Sequence, residues 1–341
     1  MIKDTKNPQP SVTLVKAAFL QQFMVALKNN GIEIEPYLKK FRLPLGNITD
    51  PDAYLPGKPF WHLINQVAIE EIIPDFGMQV AQVTPWYKVE SMQKLLAKSR
   101  SLGTLLDTFC EIASSQSSNA RFNTHVENAL CWFEYHGLPE INNDIQMELY
   151  RLTSMIELVQ LAAGRNWRPP TVRLMMNKNR VVEKNSILDD CELVFSQTHT
   201  AIAFPAGLLD ATITTRPDDA PGDIDIKERL KLDDIQNRTK LVNALNEIIS
   251  YYITEDTISI EMIADIVGKS TRSLQRLLKK HDISFTVLLN TARQQYAESQ
   301  LNNPEVRISD IADQLGYKDA AHFTRAFKRW TGMTPTEFRN I

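Results

Sequence analysis

Several signatures of chemistry are missing from this 341-residue chain. Only three cysteines occur, Cys110, Cys131 and Cys191, an odd count with no CxxC pair. That fits a reducing compartment and three small buried hydrophobes, with a redox role as the minor alternative. No apolar run reaches the roughly eighteen residues of a membrane span. Met1–Pro10 is polar and lacks a signal-peptide core, so a cytoplasmic protein without a membrane partner is expected. No HExxH, GxSxG, Walker loop or GxGxxG is found. The six histidines (His62, His125, His136, His199, His281, His322) show no metal-ligand spacing. The chain is therefore not read as an enzyme, and no catalytic residue, cofactor or metal ligand is assigned. An excess of positive charge is missing too, since 38 basic and 41 acidic residues leave −3.

What is present is a 43% apolar composition, enough for two domains with real cores, and an internal repeat. Ile263-Ala264-Asp265-Ile266-Val267-Gly268 returns as Ile311-Ala312-Asp313-Gln314-Leu315-Gly316. Each copy leads through a polar turn into a helix: Ser270–Lys280 in the first, Ala320–Trp330 in the second, whose turn is one residue longer. Leu274 corresponds to Phe323, Arg276 to Arg325, and Lys279-Lys280 to Lys328-Arg329. Apolar spacing at Ile263, Ile266, Val267, Leu274, Leu277 and Leu278 predicts two short helices on a shared core. Gly268 and Gly316 stand where a helix must stop in the left-handed conformation, and Ser270 is a fitting N-cap. The exposed face then holds Thr271, Arg272, Gln275 and Arg276, and Arg and Gln pair with guanine and adenine edges in the major groove. Two helix-turn-helix units are expected, and matched copies argue against mere solvated charges.

Between them, Phe285, Leu288, Leu289, Ala292, Tyr296 and Leu301 recur at helical spacing, with no Gly or Pro from Ser284 to Asn303. A continuous helix there would fix the distance between the two recognition helices, about 34 Å if both enter successive major grooves. Dividing the charge removes the apparent objection to nucleic acid. Residues 257–341 hold 12 basic and 9 acidic side chains, while the remainder holds 26 and 32.

The stretch from about Leu241 to Arg339 resembles the DNA-binding domain of the AraC/XylS family of bacterial transcription regulators. The residues carrying the resemblance are Leu274-Gln275-Arg276, Arg293, Ala297, Ile311-Ala312, Leu315-Gly316-Tyr317, Phe323, Arg325–Trp330, Gly332, Pro335 and Phe338-Arg339. By that resemblance the base-facing positions are Thr271, Arg272, Gln275 and Arg276, then Ala321, His322 and Arg325. Ser270, Lys279, Thr324, Lys328 and Arg329 complete the expected DNA contacts. The chain departs from the family at Asp282, where a glycine is usual. Ala320-Ala321 offers no polar readout, so the second unit is expected to sense thymine methyls or shape.

The N-terminal two-thirds reads as helices at Thr13–Asn29, Pro36–Lys40, Trp61–Ile72, Ser91–Ala97 and Leu102–Ser114, with turns including Pro74–Gly77. Strands are expected at Arg121–Val126 and Ala129–Tyr135, then a helix over Ile141–Ala163, and strands again at Pro170–Met176 and Thr200–Pro205. Trp132, Phe133, Tyr135 and Trp86-Tyr87 could line a cavity or fill a core, and Arg151 and Arg173 could clamp a carboxylate or form ordinary ion pairs. Arg216–Asp223 combines Pro, Gly and three acids and marks a linker. The expected fold is an α+β effector domain over 1–215, a helical subdomain with a small mixed sheet. A linker over 216–228 and an all-α domain over 229–341 follow, the latter with two helix-turn-helix units joined by a linker helix.

Asn30-Gly31-Ile32, Gly103-Thr104-Leu105 and Trp167–Val172 resemble the effector domain of an AraC subgroup that includes regulators of arginine and ornithine metabolism. The resemblance implies double-stranded promoter DNA, a small-molecule effector and RNA polymerase as partners, a homodimer as assembly, and activation as mode; it identifies no effector-binding residues. Competing readings are a constitutive architectural DNA binder and an N-terminal enzyme fused to a DNA reader.

Overall fold

A computed structural model describes residues 14–41, 43, 53–85, 99–117, 120–137, 144–213, 238–254 and 258–340. The expected helix at Ser91–Ala97, the pair Trp86-Tyr87, the acidic linker Arg216–Asp223 and the polar N-terminus lie outside the described residues. Two compact units are formed.

The N-terminal unit is a helical layer and a mixed sheet. The first expected helix starts late: Leu14–Lys16 is a strand (β1), and α1 runs Ala17–Asn29. It is followed by α2 (Glu35–Lys40), by β2 (Tyr54–Pro56), which is counted with the other unit, and by α3 (Gly57–Glu70). Pro74–Gly77, expected as a turn, instead leads into a helix, α4 (Phe76–Val83). Gly77 is the reason it packs where it does. A Cβ there would lie 1.9 Å from the Gln146 carbonyl oxygen, so the backbones of α4 and the helix Ile145–Ala163 touch. Gln146 clamps the junction, accepting from Gly77 N at 2.9 Å and donating to Pro74 O at 3.0 Å.

Next come α5 (Leu102–Gln116), opened by a Ser101/Thr104 capping box, then β3 (Phe122–Glu127) and β4 (Leu130–Tyr135). The turn between these strands is Asn128-Ala129, both at positive φ, as a tight primed hairpin requires. Helix α6 (Ile145–Ala163) ends at Gly164, and β5 is short, Thr171–Arg173. Then follow α7 (Arg180–Glu183), β6 (Glu192–Val194), which periodicity missed, and β7 (Thr200–Pro205). The five-stranded sheet runs β3-β4-β7-β5-β6, antiparallel except for the parallel β5–β6 pair. Buried Glu148 on α6 fastens the sheet to the helix. Its carboxylate accepts from Met175 N at 2.6 Å, Met176 N at 2.9 Å and Thr200 Oγ1 at 2.6 Å. Three such bonds satisfy a buried charge that would otherwise be costly.

The aromatic questions resolve by strand alternation. Phe133 and Tyr135 fill the core; Trp132 takes the opposite face with Ala201 and Ala203. Both arginines stack on aromatic rings, Arg151 on Tyr135 at 4.3 Å and Arg173 on Trp132 at 3.8 Å; among the described residues neither has a carboxylate within ion-pair distance, although the charge of Arg151 acts on buried Asp144. Cys131 is buried, but Cys110 and Cys191 are half-buried, which corrects the expectation of three buried thiols. Burial pushes the Cys110 thiol up to about 12 and those of Cys131 and Cys191 to about 11, so none is a reactive thiolate near neutrality.

The C-terminal unit comprises residues 238–254 and 258–340 together with Leu14 and Tyr54–Pro56. It is all helical beyond that short strand: α8 (Arg238–Tyr251), α9 (Ile260–Ile266), α10 (Thr271–Lys280), α11 (Phe285–Leu301), α12 (Ile308–Gln314), α13 (Ala320–Thr331) and α14 (Pro335–Arg339). One core runs through it, from Leu245, Ile248, Ile249 and Tyr252 to Leu274, Leu288, Ala292, Phe323 and Phe327.

Candidate nucleic-acid interface

Each helix-turn-helix unit is built as its residues dictate. Gly268 and Gly316 close α9 and α12 at φ +71° and +73°, the left-handed turn that lets the next helix cross at an angle. Leu274 and Phe323 occupy equivalent buried positions on α10 and α13. The extra residue of the second turn moves the cap: Ser270 caps α10, accepting from Ser273 N at 3.2 Å, and Asp319 caps α13, accepting from His322 N at 2.7 Å. Between the units α11 is one unbroken helix of 17 residues, packed against α8, α12, α13 and α14. Arg293 on α11 lies 5.3 Å over the Tyr317 ring, and Tyr317 in turn packs on Phe323 and Trp330. The linker helix thus holds the turn of the second unit. At the far end Gly332 ends α13 in the left-handed region, Phe338 packs on Phe327 at 5.5 Å, and Arg339 donates to Val306 O at 2.6 Å.

The sequence-derived contact residues separate into two kinds. Ser270, Arg272, Gln275, Arg276, Lys279, Ala321, His322, Arg325, Lys328 and Arg329 are exposed, while Thr271 and Thr324 are half-buried. Thr324 has spent its hydroxyl on Ala320 O at 2.8 Å, and Ser270 on its cap. His322 is tied back to Asp319, ring Nδ1 to Oδ1 2.8 Å, and the His322 amide and ring together hold the Asp319 carboxyl below the usual range. The cations differ. Among the described residues Arg272, Arg276, Lys279, Arg325, Lys328 and Arg329 have no carboxylate within ion-pair distance, whereas Arg307 is held by Asp310 at 3.0 Å. Uncompensated cations on an exposed helix face are what phosphates and base edges recruit. Asp282, the departure noted in the sequence, sits at φ +53° just after α10, taking as an aspartate the conformation glycine takes freely.

Sequence reasoning missed the Asp319 cap, which a capping scan one residue later than Ser270 would have found. It also missed what spacing could not show, that Glu134 gathers His125, His136 and His199. Among the described residues no group of His, Cys, Asp or Glu is arranged to hold a metal ion, and no helix is long and apolar enough to cross a membrane. The N-terminal unit contains a cavity of about 400 Å³ lined by Thr153, Ile156, Gln160, Arg165, Arg168 and Ile187 among others. The Thr153 hydroxyl is buried there without a hydrogen-bond partner.

Two helix-turn-helix units on one helical core, in a chain that also carries an α+β domain with a cavity, define a DNA-binding regulator. Comparison with known proteins places it more narrowly. Residues 31–213 match the arabinose-binding domain of AraC transcription regulators, N-terminal, and residues 263–341 match a helix-turn-helix domain family. The chain belongs to the AraC family of transcription regulators, and it is not an enzyme. It is similar to the HTH-type transcriptional regulator VirS of Mycobacterium tuberculosis, 22% identical over 350 residues that span 96% of each chain. VqsM of Pseudomonas aeruginosa is 34% identical over 82 residues, 24% of this chain and 25% of that one. Of solved structures, CdpR of the same species covers 95% of this chain and 98% of its own at 17% identity, with a TM-score of 0.43.

Proposed function

We propose that this regulator reads a specific promoter sequence and answers to a small molecule held by its N-terminal domain, with activation of transcription as its mode. The observation that carries the DNA reading is the set of exposed cations on α10 and α13 that have no ion pair among the described residues. The first unit supplies most direct base readout, through Arg272, Gln275 and Arg276. The second presents Arg325, Lys328 and Arg329 beside a histidine already tied to its cap, and adds affinity and register. Replacing Arg276 or Arg325 with alanine should cost about 1–3 kcal/mol at the specific site if each pairs with a base. Measured by fluorescence anisotropy on operator and random duplexes, equal losses on both would reduce these arginines to phosphate contacts.

The effector reading rests on the cavity, whose size lies within the range of small-molecule sites, and on the orphaned Thr153 hydroxyl inside it. A metabolite thermal-shift screen on the intact protein should give a stabilising hit, and Ile156→Trp should abolish that shift by filling the cavity. A hit whose shift survives Ile156→Trp places the effector elsewhere. Differential affinity for the DNA-competent state would make such a ligand a switch. Domain limits of 1–215, 216–228 and 229–341, a place in the cytoplasm, kinship with the arginine and ornithine regulators, a homodimer and contact with RNA polymerase complete the proposal, supported by the family membership and the residue resemblances above.

A further inference from the structure

The sheet of the N-terminal unit carries, on the face away from its core, a cluster that neither DNA reading nor the cavity uses. Cys131, Phe133 and Tyr135 of β4 enter the core, so alternation sends Trp132 and Glu134 to the other side. The Glu134 side chain is only 8% exposed, and three of the chain's six histidines converge on its carboxylate. His125 on β3 brings Nδ1 to 3.5 Å from Oε1, and His199, just before β7, brings Nε2 to 3.2 Å from the same oxygen. His136, just past β4, places Nε2 3.0 Å from Oε2, where the Asn123 amide of β3 also donates at 3.0 Å. The His136 and His199 rings stack with centroids 4.9 Å apart. Arg173 of β5 adds a further positive charge facing His199.

Charge counting shows what the cluster must do. With neutral imidazoles Glu134 supplies one negative charge, already offset in part by Arg173, and one imidazolium is the most it can balance. Among the described residues a second proton has no further carboxylate to meet and must sit on a ring stacked against, or beside, the first. His125 and His136 are nearly half exposed, so protons reach the cluster freely.

We propose that Glu134 with His125, His136 and His199 is a proton-responsive latch, closed across β3, β4 and β7 at neutral pH and forced apart at the His136–His199 stack in acid. The electrostatics of the individual groups agree with this. Burial holds the His199 ring below the ordinary histidine value of 6.5 against the pull of Glu134, helped by the charges of His136 and Arg173. The unfolded chain therefore takes that proton first, and stability is lost as pH falls through about 6.5. Burial would raise the Glu134 carboxyl, but the Asn123 and His136 hydrogen bonds and the charges of His199 and His125 outweigh it and hold it below 4.5. Its contribution is present above that value and is lost only in stronger acid, so the latch works between the two. Asp144, the N-cap of α6, titrates with the opposite sign. Burial pushes its carboxyl up to about 7, so it favours the fold on the acid side and must be cancelled by comparing variants.

The test uses the intact protein in buffer containing EDTA, with thermal unfolding followed from pH 7.5 to 5.0. His199→Asn and His136→Asn should flatten the acid limb relative to wild type, the unfolding constant varying by up to about tenfold less per pH unit for each proton removed from the balance. Glu134→Gln should steepen it, because even the first imidazolium is then unbalanced. Curves that run parallel for wild type and all three variants overturn the latch. So does an acid limb that exists only when a divalent cation is supplied, which would make the cluster a metal site. If the variants fail to fold, ring-nitrogen NMR of the wild type decides. Histidines protonating in separate steps, with His199 last, support the latch; three independent titrations at the ordinary value end it.

Discussion

Asp282 shows how much one residue can be asked to hold. At φ +53° it ends α10 in the conformation that costs a β-carbon most and an aspartate somewhat less. Asp282→Gly should therefore stabilise the C-terminal unit by about 0.5–1 kcal/mol, the relief of strain exceeding the added freedom of the unfolded chain. Urea denaturation of the intact protein reads this directly, and a lower midpoint would show that the carboxylate makes a contact worth more than the strain. The residue was legible in the sequence as a departure from a family glycine. Its left-handed conformation was read only from the structure. What the sequence could not show is the division among the expected DNA contacts. Thr324 and His322 stand on the right helix face, yet local hydrogen bonds have already claimed the Thr324 hydroxyl and the His322 ring Nδ1.

At the scale of elements, helices whose apolar residues follow a 3.6 period were read well and those opened by unusual residues were not. Helix α11 and the paired helices around it follow from the spacing of Leu288, Ala292 and Leu301 and from the two turn glycines. Helix α4 was lost because Pro74 and Gly77 look like a turn, whereas Gly77 is there so that two helix backbones can meet. Gly77→Ala should then cost about 3 kcal/mol or more, since a methyl group cannot occupy space held by the Gln146 carbonyl and the backbone must move. A thermal midpoint within a degree or so of wild type would mean that α4 and α6 slide apart easily. Strand β6 escaped for a different reason. Three residues, Glu192–Val194, carry too little alternation to register, and their pairing with β5 is a tertiary fact.

For the whole molecule, a net charge of −3 conceals an opposition between an acidic N-terminal portion and a mildly basic reader. Affinity for DNA should rest on a few cations. With Arg272, Arg276, Lys279, Arg325, Lys328 and Arg329 as the phosphate and base contacts, log K against log salt should slope no more steeply than about −5. A slope near zero would remove these side chains from the interface, and a much steeper one would require cations outside α10 and α13. Residues 226–341 alone should keep sequence discrimination, as competition assays between operator and random duplex would show; a folded fragment without it would mean that the N-terminal portion helps read the bases. By itself the sequence determined the reader, because a helix writes its buried face, caps and stops within a few residues, and here that local code was written twice. Only the tertiary structure decided the N-terminal chemistry. Glu134 meets a histidine two residues away, another nine away and a third sixty-five away, and strand pairing, which is non-local, is what brings them to one carboxylate.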